Sequence, residues 1–176
     1  PSFPHPEYPK PKKTWRDAHP GKYNLAIEVV ANDVCDSTIP SPDKDCSFKA
    51  WIVNGTNLIF TLPDQRKTLE AIQALEFMVV IDTMPMEITG YADVVLPECT
   101  YLERYDYCRT DQNREPSVAL RMPATEPKYN TKPDWWIVRQ LASKMGLDEY
   151  FQWNDIEEVL DWQLKQVGTS LEEMKK

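Results

Sequence analysis

Three short runs rich in apolar residues lie in the central part of the chain. Each is four or five residues long and is followed by polar or turn-forming residues, and they cover residues 50–53, 77–81 and 93–97. Such runs are typical of buried strands. An amphipathic stretch over residues 65–76, which Asp64 can cap, separates the first two, and a short helix is expected over residues 86–91. The alternation predicts an α/β fold, a three-layer domain with a mainly parallel sheet and crossover helices.

Composition divides the chain into three parts. Residues 1–22 hold six of the fifteen prolines, and because proline fixes φ and removes a backbone donor, an arm or linker is predicted there. The α/β pattern occupies residues 23–147, and a helical extension is predicted over residues 148–176. The chain opens with Pro1 and shows no signal-peptide pattern, so we expect a segment of a longer protein.

Other elements are expected around the central runs. They are a helix over residues 23–36, loops over 37–47 and 58–63, an edge strand over 117–122, and a helix over 133–145 with Gly146 at its C-cap. The residues of the last helix expected to face inward are Ile137, Val138, Leu141 and Met145. Capping boxes are predicted at Thr131–Asp134, Asn154–Glu157 and Ser170–Glu173.

Charge and hydropathy exclude several classes of protein. Asp plus Glu number 28 and Lys plus Arg number 20, and the resulting net charge of −8 argues against nucleic acid as a partner. Apolar residues make up 41 % of the chain, which is enough for a folded core and excludes a fully disordered protein. No apolar run approaches the roughly 18 residues that a membrane-spanning helix needs.

Cysteine and histidine are too scattered for a local metal site. The cysteines are Cys35, Cys46, Cys99 and Cys108, and no two are spaced as Cys-x-x-Cys, which disfavours a zinc ribbon, a thioredoxin motif or a local iron–sulfur cluster. Both histidines, His5 and His19, lie in the proline-rich part. Free buried thiols are favoured over disulfides, because a core of this size needs no cross-link. No metal ligand and no catalytic residue are predicted.

Polar side chains that follow the predicted strands are candidates for ligand binding. Open parallel sheets bind ligands outside the carboxyl ends of their strands. The residues there are Asn54, Asn57, Asp82, Glu98, Glu103 and Arg104. Neither a Gly-x-Gly-x-x-Gly motif nor a P-loop is present, so the common dinucleotide and nucleoside triphosphate sites are not supported.

Several candidates also have a purely structural interpretation. Asp82 can be a turn residue, and Asp134 can offset a helix dipole. Arg104 can be a solvated surface cation. Glu98 and Glu103 can form an acid–base pair, although the sequence places no nucleophile near them.

Four stretches follow one another as ordered motifs, and they are residues 50–57, Leu62–Asp64, Phe77–Asp82 and Tyr91–Glu98. These motifs, within residues 49–147, resemble the molybdopterin oxidoreductases of the dimethyl sulfoxide reductase family. Two further stretches, Thr100–Arg104 and Thr131–Trp136, are most similar to the catalytic subunit of polysulfide and thiosulfate reductases.

The resemblance implies a cofactor, partners and a location. Active members carry molybdenum on two molybdopterin guanine dinucleotides, usually with an N-terminal [4Fe–4S] cluster, and neither the cluster cysteines nor the metal ligand maps onto this chain. The chain therefore resembles the third of four domains and is expected to be inactive alone. Its implied partners are the remaining domains of the catalytic subunit, an iron–sulfur electron-transfer subunit and a membrane-anchor subunit. The implied location is the periplasmic side of the bacterial inner membrane.

The resemblance also implies which residues bind the cofactor. Asn57 matches an Asn that approaches the dinucleotide, and Ile81 and Asp82 match a strand-end pair at a guanosine. Arg104 matches a basic residue that contacts the cofactor, for which its planar fork suits the pyrophosphate. Asp134 matches an Asp of the nucleotide pocket, and a carboxylate can accept both N–H donors of a guanine edge.

The function expected from the resemblance is that of a cofactor-binding domain in anaerobic respiration. The parent enzyme is expected to reduce a sulfur compound such as polysulfide or thiosulfate. One alternative is the same family with arsenate, tetrathionate or formate as substrate. The other is a nucleotide-free protein-interaction domain with an acidic surface and exposed tryptophans.

Overall fold

The computed structural model describes residues 33–42, 47–111, 114–115 and 117–176. The chain divides into two compact units at the junction of Pro97 and Glu98, so the described residues fall into a first unit, 33–97, and a second unit, 98–176. The expected arm, residues 23–32 of the first expected helix, and Cys46 lie outside the described residues. The boundaries expected after residues 22 and 147 stay predictions.

The first unit is a parallel sheet with helices. Its elements are α1 (Asp33–Thr38), β1 (Ala50–Asn54), α2 (Leu58–Thr61), α3 (Gln65–Gln73), β2 (Phe77–Asp82), a 3₁₀ helix (Glu87–Tyr91) and β3 (Val94–Pro97). The strand order is β1-β2-β3, and both pairings are parallel. The prediction of an α/β fold with a mainly parallel sheet is confirmed.

One face of this sheet forms the core of the first unit. Alternate residues of β1 and β2 are buried together with side chains of α1, α2, α3 and the 3₁₀ helix, and those in the strands are Trp51, Val53, Met78 and Val80. The indole Nε1 of Trp51 donates to the hydroxyl of Thr38 (3.0 Å), which fixes the end of α1 over the sheet. Strands β1 and β2 therefore form where the sequence predicts them, because their apolar residues alternate toward this layer of helices.

The opposite face of the sheet carries apolar side chains that are exposed. Ile52 is 62 % exposed, Phe77 45 % and Val94 39 %. Ile52 is in register with Val79, and Val79 is in register with Val94, so these side chains lie side by side. We call Ile52, Phe77, Val79 and Val94 the open face.

Local hydrogen bonds explain where the first unit differs from the sequence prediction. The expected loop over 58–63 contains the single turn α2, because the carbonyl of Asn57 accepts from the amides of Phe60 and Thr61 (both 3.0 Å). Helix α1 runs through Thr38, into the expected loop, because the Thr38 hydroxyl donates to the carbonyl of Val34 (2.7 Å). Helix α3 ends at Gln73 and not at residue 76, because the Glu76 amide donates to the carbonyl of Lys49 (2.8 Å), just before β2 begins.

The second unit combines a β-ribbon with helices. Its elements are β4 (Arg109–Asp111), β5 (Ser117–Ala119), α4 (Asp134–Lys144), a 3₁₀ helix (Asp148–Tyr150), α5 (Ile156–Lys165) and α6 (Leu171–Met174). Strands β4 and β5 pair antiparallel. The buried side chains of its core are Cys108, Ile156, Leu160, Leu164 and Leu171.

The ends and faces of these elements correct several predictions. The expected strand over 117–122 ends at Ala119, and β4, its partner, was not predicted. Helix α4 buries Ile137, but Val138 is 42 % and Met145 70 % exposed, so the inward face is narrower than expected. Gly146 follows α4 with φ +72°, a conformation that favours glycine at a helix end.

Two of the three predicted capping boxes are wrong. Thr131 donates to the carbonyl of Lys128 (2.9 Å) and lies before the N-cap of α4, which is Pro133. The N-cap of α5 is Asp155, one residue after the predicted one, and its carboxylate accepts from the amide of Glu158 (3.0 Å). The N-cap predicted at Ser170 is confirmed, since its hydroxyl accepts from the amide of Glu173 (3.2 Å), while the Glu173 carboxylate accepts from the hydroxyl of Thr169 (2.9 Å).

Two carboxylates hold α6 against α5. Asp161 accepts from the amide of Leu171 (3.1 Å) and pairs with Lys165 (2.5 Å). Glu157 accepts from Lys175 (2.8 Å). The pKa of Asp161 is lowered by Lys165 and then by the Leu171 amide, and the pKa of Glu157 is lowered by Lys175 and then by Tyr105.

We expect acid to release α6. Both carboxyls have folded-state pKa values below their ordinary values of about 3.9 and 4.3, so they stabilise the fold above about pH 4.3, and this contribution disappears as the pH falls through the folded-state values. Urea midpoints measured by circular dichroism between pH 7 and pH 2.5 should fall less steeply below pH 4 in Asp161→Asn and Glu157→Gln. The exposed Glu172→Gln is the matched control, and an unchanged slope in both variants contradicts the prediction.

Candidate functional site

A tight turn after β1 carries the chain to the first candidate residue. Gly55 has φ +61°, where a residue with a Cβ is strained, and its amide donates to the carbonyl of Ile81 (3.0 Å). This bond fastens the end of β1 to β2. Asn57 follows as the N-cap of α2.

Asn57 has an acceptor without a partner. Its Nδ2 donates to the Glu87 carboxylate (2.7 Å), which fixes the amide plane. Its Oδ1 is buried and has no hydrogen-bond partner among the residues that the structure describes. A buried acceptor left unpaired costs about 1–3 kcal/mol, so a ligand donor at this position would be stabilising.

Asp82 ends β2 and uses only one carboxylate oxygen locally. The residue is 9 % exposed. Its Oδ1 accepts from the amides of Thr83 (2.7 Å) and Met84 (3.3 Å), which is the turn predicted as its structural role. Within the described part of the first unit, Oδ2 takes part in no hydrogen bond. The turn therefore fixes the carboxylate and leaves an oxygen for a ligand.

Ile81 has no polar group to offer beyond its backbone. Its side chain is 1 % exposed, and its carbonyl already accepts from Gly55. Its observed contribution is to hold the turn before Asn57.

Arg104 lies in the second unit among three carboxylates. Its Nη1 pairs with Glu98 and lies 3.5 Å from Asp134 Oδ1, and its Nε lies 3.3 Å from Asp106 Oδ1. The Arg104 side chain is 18 % exposed and that of Glu98 4 %, so Arg104 is not a solvated surface cation. We call Glu98, Arg104, Asp106 and Asp134 the Arg104 cluster.

Backbone pairing brings the cluster together. The amide of Cys99 donates to the carbonyl of Lys132 (3.0 Å), and Glu98 forms an isolated parallel bridge with Lys132. Asp134 opens α4 two residues later, and its Oδ1 accepts from the Trp135 amide (2.7 Å). Sequence reasoning missed the contacts of Glu98 and Asp106, because no periodic pattern links positions 98, 106 and 134.

Glu98 and Glu103 do not form the acid–base pair considered from the sequence. Glu98 pairs with Arg104, whereas Glu103 accepts from the backbone amides of Thr100 and Lys128 (both 2.9 Å). The pKa of Glu103 is lowered by the Lys128 amide and then by Thr100. Glu103 therefore fastens the loop, and Glu98 faces the cluster.

The Arg104 cluster carries excess negative charge. Three carboxylates face Arg104, and Arg121 adds a second cation through Asp106, which leaves one negative charge in excess. Desolvation raises the pKa of nearby Tyr107, Asp134 raises it further and Arg104 lowers it. Such a cluster suits a ligand that presents N–H donors better than one that presents phosphate.

Among the described residues, the cysteines form no disulfide and no group of side chains is arranged as a metal site. Cys35, Cys99 and Cys108 are free and buried, as predicted for thiols of a core, and burial raises the pKa of each. Within the described ranges, no three His, Cys, Asp or Glu residues are arranged to hold a metal ion. None of the described helices has the length and apolar content needed to span a bilayer.

The first unit is an α/β structure with acceptors after its parallel strands, which is where ligands bind in open sheets of this class. The chain belongs to the molybdopterin oxidoreductase family, whose profile it matches over residues 23–144. The resemblance found in the sequence is thereby confirmed.

Several characterised proteins are similar to this chain. The molybdopterin-containing subunit PhsA of thiosulfate reductase from Salmonella typhimurium is 32 % identical over 136 residues, which are 77 % of this chain and 18 % of that protein. The F420-dependent formate dehydrogenase subunit alpha of Methanocaldococcus jannaschii is 32 % identical over 65 % of this chain and 17 % of its own length. Acetylene hydratase from Pelobacter acetylenicus shares the fold, with a TM-score of 0.70 and 24 % identity over 86 % of this chain and 20 % of that one.

This chain thus spans about a fifth of the length of these relatives. The family implies a molybdenum–pterin cofactor. The residues present fit a part of such a cofactor that carries N–H donors. Among the described residues, the buried Asn57 Oδ1 has no hydrogen-bond partner, and only one of the two Asp82 carboxylate oxygens accepts hydrogen bonds within its unit.

Proposed function

We propose that this chain is the guanine-dinucleotide-binding domain of a molybdenum oxidoreductase that reduces a sulfur compound such as polysulfide or thiosulfate. The observation that carries the binding role is the buried Asn57 Oδ1, which is unpaired among the described residues, and the strand-end carboxylate of Asp82 adds a second acceptor. The similarity to the thiosulfate reductase subunit over 77 % of the chain supports the substrate class.

Each candidate residue has a role that its geometry supports. We propose that Asp82 in the first unit and Asp134 in the second each accept N–H donors of a guanosine moiety, with the oxygen that the local contacts leave over. Asn57 Oδ1 accepts a donor of the dinucleotide, and Ile81 holds the turn before it. For Arg104, pairing with three carboxylates favours holding Asp134 over binding the pyrophosphate directly.

The bound group, with its molybdenum, supplies the electron transfer to the substrate. This chain binds and orients the nucleotide end of that group, which is the part a protein shell plays in cofactor enzymes. In the parent enzyme we propose bis-molybdopterin guanine dinucleotide as the form of the cofactor, together with a [4Fe–4S] cluster held outside this chain.

The open face supports the proposal that further domains complete the structure. Parallel sheets are generally covered on both faces, yet Ile52, Phe77 and Val94 are exposed here. We propose that the remaining domains of a longer catalytic subunit cover this face. Iron–sulfur and membrane-anchor subunits on the periplasmic side of the inner membrane are the further proposed partners.

The second candidate function has formate as substrate. The 32 % identity to the formate dehydrogenase subunit over 65 % of the chain favours it, and it requires the same cofactor-binding roles.

Removing one charge from Asp82 or Asp134 should weaken cofactor binding. A lost charge-assisted hydrogen bond costs roughly 1.5–3 kcal/mol, so affinity should fall by about one to two decades in Asp82→Asn and in Asp134→Asn. Molybdenum and guanine content of the purified full-length parent measure the effect, and melting temperature monitors folding. The exposed Asp148→Asn is the control. Normal guanine content in both variants would leave the two residues as a turn and a helix terminus.

The substrate class is tested on the parent enzyme with a reduced viologen dye as electron donor. We expect turnover with thiosulfate or polysulfide and none with the 176-residue chain alone, onto which the metal ligand of the family does not map. Formate oxidation in place of sulfur-compound reduction would favour the second candidate. Fractionation of cells into periplasm, membrane and cytoplasm tests the proposed location in the same preparation.

A charge on the open face should matter only when other domains are present. Ile52→Asp should change the stability of the 176-residue chain by no more than about 0.5 kcal/mol, because the side chain is largely exposed. In the parent it should cost about 2 kcal/mol or more, since the charge becomes buried without a partner. Melting temperatures of both proteins measure the difference, and Ile52→Val is the control. An equal, small effect in both contradicts coverage of this face.

A further inference from the structure

Glu98 is the most buried charged residue of the second unit, and the proposed function gives it no role. It is 4 % exposed, and its carboxylate faces the guanidinium of Arg104. A buried carboxylate is costly unless a cation is paired with it. The pair therefore fixes Arg104 in a nearly buried position, where the same Nη1 lies 3.5 Å from Asp134 Oδ1.

We propose that Glu98 is a positioning residue, which holds Arg104 so that Arg104 orients the Asp134 carboxylate toward the N–H donors of a guanine. The inference rests on the proposed function, because it takes Asp134 as a residue that binds the nucleotide. It adds Glu98, which acts through Arg104 and makes no contact with the cofactor itself.

The chemistry of arginine suits a side chain that links Glu98 to Asp134. The guanidinium is planar and carries several donors at fixed angles, so one side chain can face several carboxylates at once. In this cluster, Nη1 faces Glu98 and Asp134, and Nε faces Asp106. A change at Glu98 is therefore transmitted to Asp134 without movement of the backbone.

Main-chain contacts hold Glu98 close to the start of α4. The Cys99 amide bonds to the Lys132 carbonyl (3.0 Å), and Glu98 bridges to Lys132, two residues before Asp134. The Cys99 thiol adds a weak contact with Thr131 (3.6 Å). Glu98 and the start of α4 are thus fixed to each other by main-chain contacts, and only the guanidinium lies between the two carboxylates.

The contacts of the two Asp134 carboxylate oxygens indicate how Arg104 orients this side chain. The Trp135 amide donates to Oδ1 and Arg104 Nη1 lies 3.5 Å from the same oxygen, while within the second unit Oδ2 has no partner among the described residues. The two carboxylate oxygens turn together about the last side-chain bond, so a second contact at Oδ1, from Arg104, narrows the side-chain torsion angles that keep the amide contact and with them the direction of Oδ2. Direct binding of a phosphate by Arg104 is disfavoured, since three carboxylates already surround it.

The first experiment requires no cofactor. In the ¹⁵N-labelled 176-residue chain, the Arg104 side-chain N–H signal and the Trp135 amide signal are followed in Glu98→Gln, which keeps the shape and removes the charge. We expect exchange of the Arg104 N–H with solvent to be about tenfold faster, together with a shift of the Trp135 amide. Glu98→Asp should restore part of both, and it replaces Glu98→Gln if that variant does not fold. The exposed Glu126→Gln is the control, and unchanged signals in both Glu98 variants overturn the proposal.

The second experiment uses the full-length parent and a double-mutant cycle. Guanine content, measured after acid release and set against protein, should fall about tenfold in Glu98→Gln and in Asp134→Asn, and the double variant should be no worse than Asp134→Asn alone. If Asp134→Asn lowers guanine content and Glu98→Gln does not, or if the two effects multiply, the positioning role is overturned and the proposed function is retained. If Asp134→Asn has no effect, the guanosine role of Asp134 fails, and the inference fails with it.

Discussion

The burial of one ion pair organises the second unit. Glu98 carries a charge into a position that is 4 % exposed, and it is compensated by a guanidinium that is itself only 18 % exposed. Because an unpaired charge in such a place would cost several kcal/mol, the loop around Arg104 and the start of α4 are constrained to meet there. Asp106 and Asp134 then complete the surroundings of the same cation. A carboxylate-rich surface at a helix start follows from this single pairing.

In the first unit, strand register has the corresponding role. Residue 54 is paired with 81, and residue 82 with 97, so the three strands end together and their following loops share one edge. The amide of Gly55 closes the turn onto Ile81, which leads the chain to Asn57. Among the residues that the structure describes, two acceptors result, one buried and unpaired, the other a carboxylate with one oxygen that forms no hydrogen bond in its unit. A sheet in another register would bring neither to that edge.

In both Asp82 and Asp134, the two carboxylate oxygens have different surroundings. In each, Oδ1 accepts a nearby backbone amide, at 2.7 Å in both cases, and Oδ2 has no partner within its own unit among the described residues. The structural and the binding interpretations of these residues are therefore compatible. A turn or helix-terminal bond fixes the carboxylate, and a fixed carboxylate loses less entropy when it binds a ligand.

The sequence by itself determined the parallel strands, the crossover helix α3 with its Asp64 cap, and the family, because these depend on apolar patterns and ordered motifs that are local in the chain. It also located Asn57, Asp82 and Asp134 beside strand and helix ends. Capping was wrong by one position at Asn154, where the neighbouring Asp155 accepts the amide, and by two at Thr131, where the N-cap is Pro133 and no side chain caps the helix. Only the tertiary structure decided the Arg104 cluster, the orphaned oxygen of Asn57 and the open face. These depend on the contacts of Arg104 with Asp134 and of Asn57 with Glu87, each between residues 30 positions apart, or on which side of a sheet the helices cover, and neither leaves a periodic trace in the sequence.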